Sequence, residues 1–341
     1  MAESVFITDV SPRDGLQNER SAITTQQKAE LVRLLCASGV DEVEVSSFVS
    51  AKWVPQLGDA SELFRTLAAE GPELRQQHAQ RGRTIFSALA PNEQGMKALL
   101  GVNEAARAKV IDKVSLFTAA SETFNKRNTN ATIAESIERF RPALALAAKE
   151  GLWVRVYVSC AFACPFEGEI KPGQVIKVVK QIAGLVSHSE YWPDGPITQG
   201  DSFAGVEIAI GDTIGAATAG RTELLFQRLL DAEMAAWFHE FPGANDTGRW
   251  PPLVLHLHDT FGRAGECVKA ALDLGIRRFD GSAGGLGGCP YASTPTTRAP
   301  GNIATETLVD VVHAAGFATG VDVDRLRAAG DFARSLIRPV P

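Results

Sequence analysis

The chain has 341 residues, with 34 Lys and Arg against 40 Asp and Glu and a formal net charge of -6. That length admits two ordinary domains or one large α/β barrel, and a content of 45% apolar and 22% charged residues excludes a disordered, collagenous or coiled-coil architecture. The mild acidity argues against a nucleic-acid binder, which needs a basic stripe to track phosphates.

In chain order, strands are predicted over 5–10, 42–48, 84–89, 111–117, 153–159, 206–210, 253–258 and 278–282. Helices are predicted over 25–37, 60–68, 93–106, 133–149, 172–185, 218–237, 264–274 and 305–315, with one more over 323–336. Thr24 and Gln27 have the spacing of a capping box, and Pro172 suits the first turn of its helix. Strict strand–helix alternation predicts a parallel sheet, and eight such units predict a closed (β/α)8 barrel over 1–318, with 319–341 as a C-terminal helix packed on it. Two Gly- and Pro-rich insertions, 187–205 and 240–252, precede strands and are therefore expected at the N-terminal face, away from chemistry.

The five cysteines, at 36, 160, 164, 267 and 289, are odd in number and widely spaced, unlike a secreted disulfide framework. The opening MAESVFITDVSPRDG lacks the charged and apolar segments of a signal peptide. No run of about 18 apolar residues marks a membrane span. A cytoplasmic chain with reduced thiols is expected, without nucleic-acid or membrane partners and assembled as a homo-oligomer such as a dimer.

Nearly every unusual polar cluster falls at the C-terminal end of a predicted strand, where barrel active sites are built. Arg13 and Asp14 follow the first strand, Glu44 lies on the second, Ser115 ends the fourth, and Ser159 and Cys160 end the fifth. Asp212 follows the sixth, His256 and His258 end the seventh, and Asp280 to Cys289 follow the eighth. Residues i and i+2 of a strand share a face, so both imidazoles point into the barrel mouth and can share a metal. With Asp14 and Asn302 as hard oxygen donors the set suits Mg²⁺ or Mn²⁺, with Zn²⁺, Co²⁺ and Fe²⁺ as further options. Cys160-x-x-x-Cys164 is not a common zinc spacing and is read as two small core residues. Arg13 provides a fixed cation for a developing oxyanion and the obvious partner for Glu44, which is costly to bury unpaired. The 284–290 loop, GGLGGCP, lacks both the P-loop and the dinucleotide spacing; it is a tight turn or a mobile lid carrying a cysteine.

Seven ordered motifs resemble the 3-hydroxy-3-methylglutaryl-CoA (HMG-CoA) lyase family: VSPRDGLQNE (10–19), EVSSFVSAKWVPQLGDA (44–60), ASETFNKRN (120–128), YVSCAFACPFEG (157–168), GDTIG (211–215), HLHDTFGRA (256–264) and GGLGGCPYA (284–292). The resemblance covers roughly residues 5–310 and implies a metal-dependent carbon–carbon lyase that cleaves an acyl-CoA in leucine degradation. It implies Asp14, His256, His258 and Asn302 as ligands of the divalent metal. It implies Arg13 as stabiliser of the enolate oxygen, Cys289 as the catalytic cysteine of a mobile loop, Glu44 as a carboxylate supporting the metal site and Asp212 as an active-site aspartate. Gln17, Ser159 and Asn128 are candidate substrate contacts.

The chain departs from the family pattern between Cys289 and Asn302, where the lid is about four residues longer and contains Arg298. Arg20 stands where a lysine is familiar. The longer lid leaves citramalyl-CoA and 3-hydroxy-3-isohexenylglutaryl-CoA as alternative substrates. A Claisen-condensing acyltransferase shares the barrel and the H-x-H pair, but it carries a long C-terminal extension and lacks the cysteine loop. A non-catalytic binding module would have lost a ligand or the arginine; neither is lost.

Overall fold

The structure is a computed structural model that describes residues 2–19, 21–76, 78–186, 198–199, 202–203, 205–231, 234, 253–288 and 301–337. Eight parallel strands close into a barrel in sequence order: β1 (Phe6–Asp9), β2 (Glu42–Ser47), β3 (Ile85–Leu89), β4 (Lys113–Ala119), β5 (Trp153–Ser159), β6 (Val206–Asp212), β7 (Leu253–Leu257) and β8 (Arg278–Gly281), with β8 returning to β1. The strands are short, rich in Val and Ile, and buried on both faces, as in parallel sheets covered by helices.

The principal helices are α1 (Thr25–Ser38), α2 (Ala60–Ala69), α3 (Glu93–Ala106), α4 (Arg141–Lys149), α5 (Pro172–Val186), α6 (Ala219–Leu229), α7 (Ala264–Asp273), α8 (Thr305–Ala314) and α9 (Val323–Leu336). The capping box at Thr24 and Gln27 is formed. The α9 helix packs against α1 and against the turn Ala283–Gly285. No helix among the described residues is long and apolar enough to cross a membrane.

Three expectations need correction. The helix expected over 133–149 is two, Ile133–Glu138 and α4, because Pro142 has no N–H to continue the first ladder and instead opens the second helix. A further helix, Glu122–Thr129, forms where none was predicted, with the Ser121 hydroxyl accepting from the Phe124 amide as its cap. The helix expected over 218–237 is interrupted: α6, capped by Thr218, ends at Leu229 and Leu230 and Asp231 are not helical, while residues 232–233 and 235–237 lie outside the described residues. Within 187–205, Thr198–Gln199 pairs antiparallel with Ser202–Phe203. Most of that insertion and all of 240–252 lie outside the described residues.

The apolar core lies between strands and helices, whereas the barrel interior holds charge. Arg155 on β5 is fully buried; it reaches Glu207 on β6 at 2.5 Å, Asp280 on β8 at 2.9 Å and the Thr8 hydroxyl on β1 at 3.2 Å. Lys113 on β4 binds both Glu42 on β2 and Glu207, the latter at 2.7 Å, and Arg278 binds the second oxygen of Glu207 at 2.8 Å. Glu42, Glu207 and Asp280 thus face Lys113, Arg155 and Arg278, so no sign is in excess. Removing one partner of such a set strands its opposite charge. We expect Arg155→Met to lower the unfolding free energy by about 3–5 kcal/mol in urea melts, the usual cost of breaking a buried pair.

Candidate active site

The Arg13-Asp14 pair is placed by a single π turn, Ser11–Gly15, directly after β1. The amides of Arg13, Asp14 and Gly15 converge on the carbonyl of Val10 at 3.2, 2.8 and 3.1 Å. Pro12 sits at the start, where its missing N–H costs nothing. Such wide turns recur at functional sites because they rotate side chains out of helical register. Here the turn aims both side chains at the barrel mouth. Arg13 Nε donates to Glu44 Oε2 at 2.6 Å, its Nη1 donates to Asp14 Oδ1 at 2.6 Å, and its Nη2 also pairs with Glu44. The pairing of Glu44 with Arg13 expected from sequence is therefore formed. The Tyr157 hydroxyl donates to the same Glu44 oxygen at 3.2 Å, and the Arg13 guanidinium stands 5.3 Å from the Tyr157 ring centre.

Across the mouth, one ligand atom from each of Asp14, His256 and His258 lies within 4.8 Å of the others. Asn302 Nδ2 donates to Asp14 Oδ2 at 2.9 Å and to the Leu286 carbonyl at 3.1 Å. The backbone approaches closely here. Gly287 has φ of +96°, and a Cβ on it would lie 2.7 Å from Asn302 Nδ2, so a side chain at that position would displace the amide. Two buried atoms of the cluster, His258 Nδ1 and Asn302 Oδ1, have no hydrogen-bond partner among the described residues. Buried polar atoms are rarely left unpaired, so these mark a place for a ligand.

The protonation states suit cation binding. Burial alone would raise the Asp14 carboxyl, but Arg13, both histidines and Asn302 together hold it down at about 2. Burial, with His256 and Arg13 nearby, pushes His258 down to about 4, against the opposing pull of Asp14. Asp14 is thus a carboxylate and His258 a neutral imidazole with a lone pair at neutral pH. Burial opposes the charge on Arg13, yet Glu44 and Asp14 outweigh it and keep the guanidinium firmly charged. His256 Nδ1 faces Asp280 Oδ2 at 3.2 Å. Burial favours neutral Asp280, but Arg155 and His256 keep it ionised, its pKa below the ordinary value. A carboxylate accepts from Nδ1–H, which fixes the tautomer and leaves the Nε2 lone pair for a cation.

The other expected site residues divide. Gln17 joins the cluster, its Nε2 donating to Asp14 Oδ1 at 3.0 Å. Asp212 ends β6 but spends its oxygens on the backbone, accepting from Ala216 N at 2.9 Å and Ala217 N at 2.8 Å. Burial raises its carboxyl to about 6 despite those bonds. Ser159 is half-buried at the end of β5. Asn128 Nδ2 donates at 2.8 Å to Phe124 O of its own helix, a local bond outside the cluster. Cys160 and Cys164 are buried, and Cys164 Sγ accepts from the Ser121 hydroxyl at 3.0 Å. Cys289 and Arg298, with the rest of 289–300, lie outside the described residues. Sequence reading missed Tyr157 and the roles of Arg155 and Asp280. The alternation of Arg155, Tyr157 and Ser159 along β5 is the signal that places all three on the interior face.

The depressed His258 pKa has a pH signature. The folded value, about 4, lies below the ordinary 6.5, so the unfolded chain binds the proton more readily. The contribution of His258 to stability is full above pH 6.5 and is lost as pH falls from there towards 4. We expect NMR titration of the metal-free protein to place His258 near 4, and Asp14→Asn to move it lower still, because Asp14 favours the imidazolium.

A family model described as HMGL-like matches residues 4–333. The cytoplasmic 3-hydroxy-3-methylglutaryl-CoA lyase of Danio rerio is 37% identical over 331 residues, covering 96% of this chain and 82% of that protein. The 3-hydroxy-3-isohexenylglutaryl-CoA/hydroxy-methylglutaryl-CoA lyase of Pseudomonas aeruginosa is also 37% identical, covering 97% of this chain and 92% of that one. The crystal structure of the HMG-CoA lyase from Brucella melitensis superposes with a TM-score of 0.76 at 36% identity, covering 98% of this chain and 99% of the other. With a matching family model over nearly its whole length and a shared barrel, the chain belongs to the HMGL-like family.

Proposed function

We propose that this protein is a divalent-metal-dependent carbon–carbon lyase that cleaves HMG-CoA to acetoacetate and acetyl-CoA. The observation that carries the reading is the convergence of a buried, carboxylate-held Arg13 with the Asp14, His256, His258 and Asn302 cluster at one end of the barrel. The donor set fits a divalent cation: one ionised carboxylate, the neutral imidazole of His258, the His256 imidazole oriented by Asp280, and an orphaned amide oxygen on Asn302. Bound there, Mg²⁺ or Mn²⁺ supplies Lewis acidity that favours loss of the substrate's tertiary hydroxyl proton.

The chain's own residues account for the rest. A base at the mouth takes the hydroxyl proton, with Cys289, His256 and Asp14 as the candidates; the freed oxygen pair forms the ketone of acetoacetate while the adjacent carbon–carbon bond breaks and its electron pair moves onto the thioester as an enolate. Arg13 neutralises that oxyanion. Its Nε and both terminal nitrogens engage carboxylates, yet a guanidinium has five N–H donors, so donors remain for the substrate. Glu44, locked by Arg13 and Tyr157, keeps the guanidinium from swinging towards Asp14 alone. The enolate carbon then takes a proton to give acetyl-CoA; the family motif at 284–292 supports Cys289 as its carrier.

A second reading keeps the chemistry and changes the acyl group. The P. aeruginosa relative is named for 3-hydroxy-3-isohexenylglutaryl-CoA as well as HMG-CoA, and the sequence between Cys289 and Asn302 is longer than the family pattern. Release of acetyl-CoA from HMG-CoA, citramalyl-CoA and 3-hydroxy-3-isohexenylglutaryl-CoA separates the readings; we expect HMG-CoA to have the highest kcat/KM. Turnover of another thioester with none of HMG-CoA would replace the first reading. Arg13→Met should lower kcat by at least about 10²–10³, or about 2.7–4 kcal/mol, the cost of losing an oxyanion donor. Unchanged turnover would dismiss the mechanism.

A further inference from the structure

We infer that Asp9 is a positioning residue that clamps together three segments beside the candidate metal site, those bearing Asp14, the Leu286 carbonyl and Asn302, an inference that rests on the metal reading above. Asp9 ends β1, is fully buried, and lies outside the site residues named so far. Its Oδ1 accepts from the Ser11 amide at 2.8 Å and the Ser11 hydroxyl at 2.5 Å. Its Oδ2 accepts from the Ala283 amide at 2.9 Å and the Thr305 hydroxyl at 2.6 Å. The three residues that supply these four donors belong to three different arms. Ser11 opens the π turn that carries Arg13 and Asp14. Ala283 opens the root of the glycine loop, whose Leu286 carbonyl holds the Asn302 amide. Thr305 begins α8, three residues after Asn302.

Neighbouring contacts complete the clamp. The Gly284 amide donates to both Glu306 oxygens, at 3.2 and 3.1 Å, and Glu306 pairs with Arg334 of α9 at 3.4 Å. A Cβ on Gly284 would stand 2.7 Å from the Gly330 carbonyl, so α9 presses directly on the loop root. One carboxylate with four donors is over-determined: none of the three arms can shift without breaking a bond to it. Burial of that carboxylate is tolerated only because every donor is in place. Asp14 and Asn302, which come from two of those arms, owe their 2.9 Å contact to this arrangement.

The test is Mn²⁺ affinity of the purified, metal-stripped full chain, read by titration, with thermal melting as a separate readout. Asp9→Asn turns one acceptor oxygen into an NH₂ facing N–H donors. Thr305→Val removes a single hydroxyl and keeps the test available should Asp9→Asn not fold. We expect each folded variant to bind Mn²⁺ about 10–100-fold more weakly, the usual loss when a group supporting the ligands is removed. Thr305→Ser, which keeps the hydroxyl, should restore wild-type affinity. A merely structural role would lower the melting temperature and leave the affinity of the folded protein unchanged; that result overturns the clamp. Wild-type protein that binds no Mn²⁺ would instead overturn the metal reading beneath it.

Discussion

Arg155 sits out of contact with water among Glu207, Asp280, Thr8 and the Tyr157 hydroxyl. Charges at that depth cost several kcal/mol each unless paired and fully hydrogen-bonded, so the barrel interior must be balanced as a set. The set spans the barrel's cross-section, with partners drawn from β1, β2, β4, β5, β6 and β8. It fills the volume that most barrels of this type fill with branched aliphatic side chains. The site inherits its shape from this constraint.

Two branches leave the set and reach the mouth. One runs from Arg155 through Asp280 to His256 and fixes which imidazole nitrogen is protonated. The other runs from Arg155 through Tyr157 and Glu44 to Arg13. Both end at Asp14, which Arg13 contacts directly and which shares the candidate metal cluster with His256. The guanidinium proposed to meet the oxyanion and the imidazole proposed to hold the metal are therefore oriented from the same buried cation. Such preorganisation means that little has to move when charge develops.

The segments above the mouth are held differently, by carboxylates that collect backbone amides. Asp9 and Glu306 take the amides at the root of the glycine loop, and Asp212 takes those after β6. Backbone amides give such bonds a direction that side chains alone lack. The glycines at 284 and 287 have positive φ and admit close approach of α9 and of Asn302, which side chains would block.

Alternation of β-branched runs and amphipathic stretches was enough to read the barrel from the sequence, because that period is local. The inward placement of His256 and His258 followed from strand parity, and the Arg13–Glu44 pairing from the cost of a lone buried carboxylate. The break at Pro142 was also written in the chain, though the apolar period over 133–149 masked it. The roles of Asp280, Arg155, Tyr157 and Asp9 were not legible. Arg155 and Asp280 are 125 positions apart, Thr8 and Arg155 147, and Asp9 and Thr305 296. No local period encodes a contact across a closed barrel. The alternation, the side each strand residue faces and the residue types available for chemistry are local properties, written along the chain. Only closure of the barrel decided which charges neutralise one another, because burial makes pairing compulsory and the tertiary fold alone supplies the partners.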